Sequence, residues 1–165
     1  MQVRIESEDD ALTLATADNL IICLWTGPPT VDAVRLFSAV NRRMRREHPE
    51  GAAMVNLVVR GAPKFSREIV EESVAALNAV KTWRSATVHV IMIESFAAVA
   101  VRSFLSTLNL VSMAKRPVHV CGDIPAAARW LAETLEGHPS LSWTEPELIS
   151  ALGGLVAPRQ HAPSP

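Results

Sequence analysis

The feature that most constrains this chain is an alternation: short apolar runs bounded by turn residues are interleaved with longer stretches of amphipathic period. The short runs have the length of strands, whereas apolar positions recurring every three or four residues mark helices that lie on a sheet. Strand, helix and strand repeated along one chain build an α/β layer structure, because each helix must bury its apolar stripe against the sheet it crosses. Parallel neighbours joined in this way require right-handed crossovers.

Residues 2–6 and 11–16 are candidate strands and 19–25 (NLIICLW) is a stronger one; the turn Thr16-Ala17-Asp18-Asn19 joins the last two as a hairpin, so the sheet starts antiparallel. Thr26-Gly27-Pro28-Pro29-Thr30 breaks the strand. Thr30 caps a helix running to about residue 48, with Asp32 in its first turn and Val34, Phe37, Val40 or Asn41, and Met44 facing inward. Pro49-Glu50-Gly51 stops it, and 52–59 (AAMVNLVV) reads as a central strand buried on both faces. Ser66 caps a helix over 67–82, 86–93 (ATVHVIMI) is a further buried strand, and Ser95 caps a helix over 96–113. A last strand covers 117–121, after which Asp123 and Pro125 open a helix carrying Trp130, Leu131 and Leu135 inward. The expected fold class is therefore α/β, with a single mixed β-sheet, antiparallel at its start and mostly parallel in its later strands, covered by about four helices.

With 165 residues the chain matches one domain and can bury a core without disulfides or metals to staple it. The domain is expected to span residues 1–137, followed by a C-terminal extension over 138–157 with a short helix at 145–152, and a disordered proline-rich tail over 158–165. A formal net charge of −1 provides no long-range field toward nucleic acid or an anionic membrane. The acidic N-terminus lacks the pattern of a secretory signal, and no apolar window reaches the length a bilayer requires, so a cytoplasmic location with neither nucleic-acid nor membrane partners is expected.

Catalytic and ligand signatures are sparse. Cys23 and Cys121 each lie in a strand run without a CxxC companion and read as reduced, packed thiols. The chain contains no G-x-x-x-x-G-K, no G-x-G-x-x-G and no G-x-S-x-G. His89 and His119 sit in separate strands and would approach each other if those strands were neighbours, but no third metal ligand accompanies them. The expectation is a protein with no catalytic residues, no metal and no cofactor. Arg42-Arg43-Met44-Arg45-Arg46 is the densest basic run and reads as the solvated last turns of a helix, where cations favour the dipole.

The stretch AAVAVRSFLSTLNLV, residues 97–111, is apolar around nearly its whole circumference. Val99, Val101 and Leu105 cannot all share one face with Phe104, Leu108 and Val111, so apolar area should stay exposed on an isolated chain. Val101, Phe104, Leu105, Leu108 and Val111 are accordingly the candidate interface for a homodimer or a partner groove, unless the segment holding Trp143, Leu148, Ile149 and Leu152 folds back as the cover.

Residues 83–131 combine the strand ATVHVIMI, the small-residue helix just described and the closing run RPVHVCGDIPAAARWL. This series resembles the STAS-like, or SpoIIAA-like, superfamily, loosely over residues 11–136; the superfamily includes anti-sigma-factor antagonists and a divergent branch related to lipid-binding Sec14 domains. The resemblance implies a non-catalytic protein-interaction and regulatory module in bacterial signalling, with a kinase or transcriptional regulator as partner. It also implies a switch, since better-known members are phosphorylated on a serine at the start of the helix after the central strand. Ser66 is the matching residue, within Ala62-Pro63-Lys64-Phe65-Ser66-Arg67 where those members carry an Asp-Ser-Ser-Gly-like turn. The Sec14-like branch implies an alternative, a small apolar ligand or lipid held between the sheet and the helix over 97–111.

Overall fold

The computed structural model describes residues 2–60, 65–80, 82–93, 96–111, 116–138 and 143–160. Among them the chain forms six strands and five helices, in the order β1 (Arg4–Glu8), β2 (Leu12–Ala17), β3 (Leu20–Trp25), α1 (Val31–Glu47), β4 (Ala52–Val58), α2 (Arg67–Val80), β5 (Arg84–Ile91), α3 (Phe96–Val111), β6 (Val118–Cys121), α4 (Ile124–Thr134) and α5 (Glu145–Gln160). The strands make one sheet in sequential order, β1-β2-β3-β4-β5-β6. The first two pairings are antiparallel and the remaining three parallel. The fold is thus α/β with one mixed sheet, antiparallel first and parallel later.

Local chemistry explains the element ends. Ala17 pairs with Leu20, leaving Asp18 and Asn19 as a two-residue hairpin loop, and Asp18 takes φ 49°, which a short polar side chain tolerates. The Asn19 side-chain amide donates to the Gly51 carbonyl at 3.3 Å and ties this loop to the start of β4. Thr30 accepts from the Ala33 N–H at 3.1 Å and Asp123 from the Ala126 N–H at 2.8 Å, each satisfying one orphan donor of a helix start.

Three parallel crossovers step the same way along the sheet, so right-handed connections leave α1, α2 and α3 on one face. Strand alternation then sorts the core. Leu20, Ile22 and Leu24 of β3, with Ala53, Val55 and Leu57 of β4, pack toward α4 and α5. Ile21 and Cys23 pack toward α1, and Val58 and Ile91 toward Ala98, Val101 and Leu105 of α3. A register shift between Ala52 and Ala53 opposes Arg84 to Ala52 and Ala86 to Ala53, so the extra residue, Ser85, turns Arg84 onto the α1 side.

The C-terminal segment differs from the expectation of a short helix and a detached tail. Helix α5 continues through Gly153-Gly154 and Pro158, and Leu148, Leu152, Leu155 and Val156 join the same core as α4 and the sheet. Its apolar residues recur at helical spacing, and burying four of them outweighs the roughly 1 kcal/mol that each interior glycine costs. Pro158 lies in the last turn, so the bond its missing N–H forfeits is lost only at the helix end. Helix α5 covers the face opposite α3, so it is not the lid for that helix. Residues 161–165 lie outside the described residues.

The basic run of α1 is only partly solvated. Arg43 donates to both carboxylate oxygens of Glu6 at 2.6 Å, pinning edge strand β1 to α1, and this guanidinium holds the Glu6 carboxyl below its ordinary range. Arg45 donates to the Ala79 carbonyl at 3.2 Å.

Candidate functional site

The face of the sheet under α1–α3 does not close. A cavity of about 130 Å³ remains between β3–β5 and the three helices. Its floor comes from the odd residues of β3, Cys23 and Trp25, the even residues of β4, Met54, Asn56 and Val58, and Thr87 and His89 of β5. Phe37 of α1, Ile69 and Leu77 of α2, and Val101, Leu105 and Leu108 of α3 form the apolar roof. Phe65 and Phe104 stack at one side, ring centroids 3.6 Å apart and 7° from parallel.

Register brings polar groups together on this floor. Cys23 pairs with Asn56 and Asn56 with His89, so the three lie in a row across β3, β4 and β5. The Trp25 indole N–H, which can only donate, gives its hydrogen bond to Asn56 Oδ1 at 2.6 Å. The amide NH2 of Asn56 is thereby turned to His89 Nδ1, 3.1 Å away. That nitrogen must accept, which puts the proton of the neutral imidazole on Nε2. Burial, reinforced by the charge of Arg116, pushes the His89 pKa down to about 4, so the ring is neutral near neutral pH.

Arg116 precedes β6 and reaches under the sheet face, where its Nε donates to Thr87 Oγ1 at 3.2 Å. It keeps 9% of its exposure, and its NH1 is buried without an acceptor. Deeper under α1, Arg84 donates to Asn41 Oδ1 and lies over the rings of Phe37 and Trp83, at 5.9 and 5.5 Å from their centroids. Its Nε and NH1 have no acceptor, and burial pushes its pKa down to about 9, with the charge of Arg116 adding to the effect. Neither arginine makes an ion pair among the described residues.

Val101, Leu105 and Leu108 are buried and face the cavity, and Phe104 is half-buried at its side; these four line an interior space and not an outer surface. Among the described side chains of that helix the exposed large apolar one is Val99, at 57%. Val111 has no described side chain, and Ser95 lies outside the described residues. Ser66 is exposed and accepts from the Ile69 N–H at 3.3 Å, the bond of a helix cap. His89 and His119 do lie on neighbouring strands, but His119 pairs with Val88 and so points to the other face, where it stacks on Trp130 at 5.1 Å. Cys23 and Cys121 are free thiols with β4 and β5 between their strands. Burial pushes the Cys23 thiol up to about 12, which removes it as a nucleophile. Among the described residues no group of three His, Cys, Asp or Glu is placed to hold a metal ion, and no helix is long and apolar enough to cross a membrane.

Sequence reasoning passed over Asn56, Thr87 and Arg116. A signal was present for the first two: a polar residue inside a strand buried on both faces must find a partner, and Asn56 and Thr87 interrupt such runs. Arg116 carried none, because its role depends on β6 lying beside β5.

Comparison of the chain with models of protein families, with curated proteins and with solved structures gives no match in any of the three.

Proposed function

We propose that this protein is a non-catalytic binding domain for a small, largely apolar molecule, held in the cavity between the sheet and α1–α3. The cavity is the observation that carries this reading: well-packed interiors leave few voids larger than water, and a void of about 130 Å³ roofed by Leu, Val, Ile and Phe is of the size that takes up a ring-sized hydrocarbon. The ordered amide and imidazole on its floor provide the few placed polar groups that orient a ligand. Isothermal titration with benzene, a neutral apolar probe of matching size, tests it. The wild type should bind it, and the affinity should fall by at least about tenfold in the cavity-filling variants Val101→Phe and Ala76→Leu, provided circular dichroism shows them folded. Equal binding by folded filled variants refutes the reading.

A second reading, the protein-interaction module of STAS type with a kinase, transcriptional regulator or second copy as partner, is favoured by one observation. Val99 on α3 and Val120 on the terminal strand β6 expose apolar side chains at 57% and 41%. Val99→Glu should weaken self-association or partner capture without unfolding the domain, and an unchanged sedimentation profile and partner yield would remove it.

A further inference from the structure

We propose that the cavity's ligand carries an anionic headgroup, a carboxylate, received by Arg116 together with Thr87, Asn56 and His89. This inference rests on the reading of the cavity as a ligand site and adds the chemical class of the ligand.

With its oxygen taken by Trp25, Asn56 presents only N–H groups, one of them used by His89 Nδ1. His89 then offers Nε2–H, which has no acceptor among the described residues. Thr87 Oγ1 accepts from Arg116 and keeps its own O–H to donate. Arg116 adds the buried, acceptor-less NH1. All four residues line the same cavity, and among the described residues no Asp or Glu does. Its described lining thus sets these donors and the charge of Arg116 among side chains that are mostly hydrocarbon.

Buried charge without a partner is among the costliest arrangements in a protein interior. An anion in the cavity gives the Arg116 guanidinium the acceptor it lacks. The volume, a little below the about 150 Å³ of a cavity that takes up benzene, confines the molecule to a compact amphiphile, a headgroup on about five carbon atoms. A carboxylate accepts at two oxygens from a guanidinium and the neighbouring donors, whereas an alcohol of the same length offers one acceptor and no charge.

Isothermal titration of the full chain with hexanoate and with 1-hexanol tests this. Hexanoate should bind at least about tenfold more tightly than hexanol, since charge-assisted bonds are about twice as strong as neutral ones. Arg116→Met should reduce hexanoate affinity by about tenfold or more, to the level of hexanol, and change hexanol affinity by less than about twofold. Thr87→Val, which keeps the shape and removes one donor, should reduce hexanoate binding by about threefold to tenfold and serves if the arginine variant does not fold. Hexanol binding as tightly as hexanoate overturns the headgroup assignment while leaving the cavity reading intact. Displacement of hexanoate by equimolar inorganic phosphate marks a site for free anions and overturns it as well. Binding of neither compound overturns both.

Discussion

Acidification acts on this protein through the imidazole buried on the cavity floor. In the folded state His89 is held at a pKa of about 4, first by burial and then by the charge of Arg116, whereas in the unfolded chain it titrates near 6.5. Above about pH 6.5 both states are neutral at this residue and no penalty exists. As pH falls below that value the unfolded chain takes up a proton that the folded chain refuses until about pH 4. Stability is therefore lost across this window. The drop from 6.5 to about 4, at about 1.4 kcal/mol per pH unit, amounts to about 3 kcal/mol in all, of which about 2 kcal/mol is lost by about pH 5. Against the 5–15 kcal/mol typical of a domain this is large. The interval from about pH 7 to 5 also lies above the range where Glu6 loses its charge and its bond to Arg43. The assay is urea denaturation at several pH values in that interval, on the wild type and on His89→Gln, whose amide still offers an acceptor to Asn56. The wild type should lose about 2 kcal/mol more than the variant between about pH 7 and 5. Parallel curves for the two proteins refute the reasoning, because they place His89 in an environment no different from water.

Three further outcomes follow from packing and burial. Leu152→Ala should destabilise the fold by about 2–5 kcal/mol in denaturant titrations, as for other fully buried leucines, whereas a residue in a detached extension would cost nothing measurable. Gly51→Ala should cost about 1–3 kcal/mol, because φ is 133° there and a Cβ would meet Ser85 Oγ at 2.5 Å; a neutral substitution would refute that geometry. In the native protein Cys121 should react with a thiol-specific disulfide reagent while Cys23 stays silent until denaturant is added, since only the latter is fully enclosed and pushed up to about 12; equal reaction rates would contradict its burial.

Much of this molecule was determined by sequence alone. Apolar runs of strand length, separated by amphipathic stretches with Thr30, Ser66 and Asp123 at their starts, settle which segments are strands and helices, because periodicity and capping are local properties. The antiparallel opening was equally legible in the Asp18-Asn19 turn. Helix α5 was not, since two glycines and a proline argue against helix locally and only the shared core with α4 decides for it. Nor was the inward turn of Val101, Leu105 and Leu108 legible: a helix apolar on all sides has no preferred face until a sheet is laid against it. The cavity belongs wholly to the tertiary structure. Cys23, Asn56 and His89 become one row only through the register of three parallel strands, and Arg116 reaches Thr87 only because β6 lies beside β5, relations between residues about 30 positions apart that no local pattern encodes.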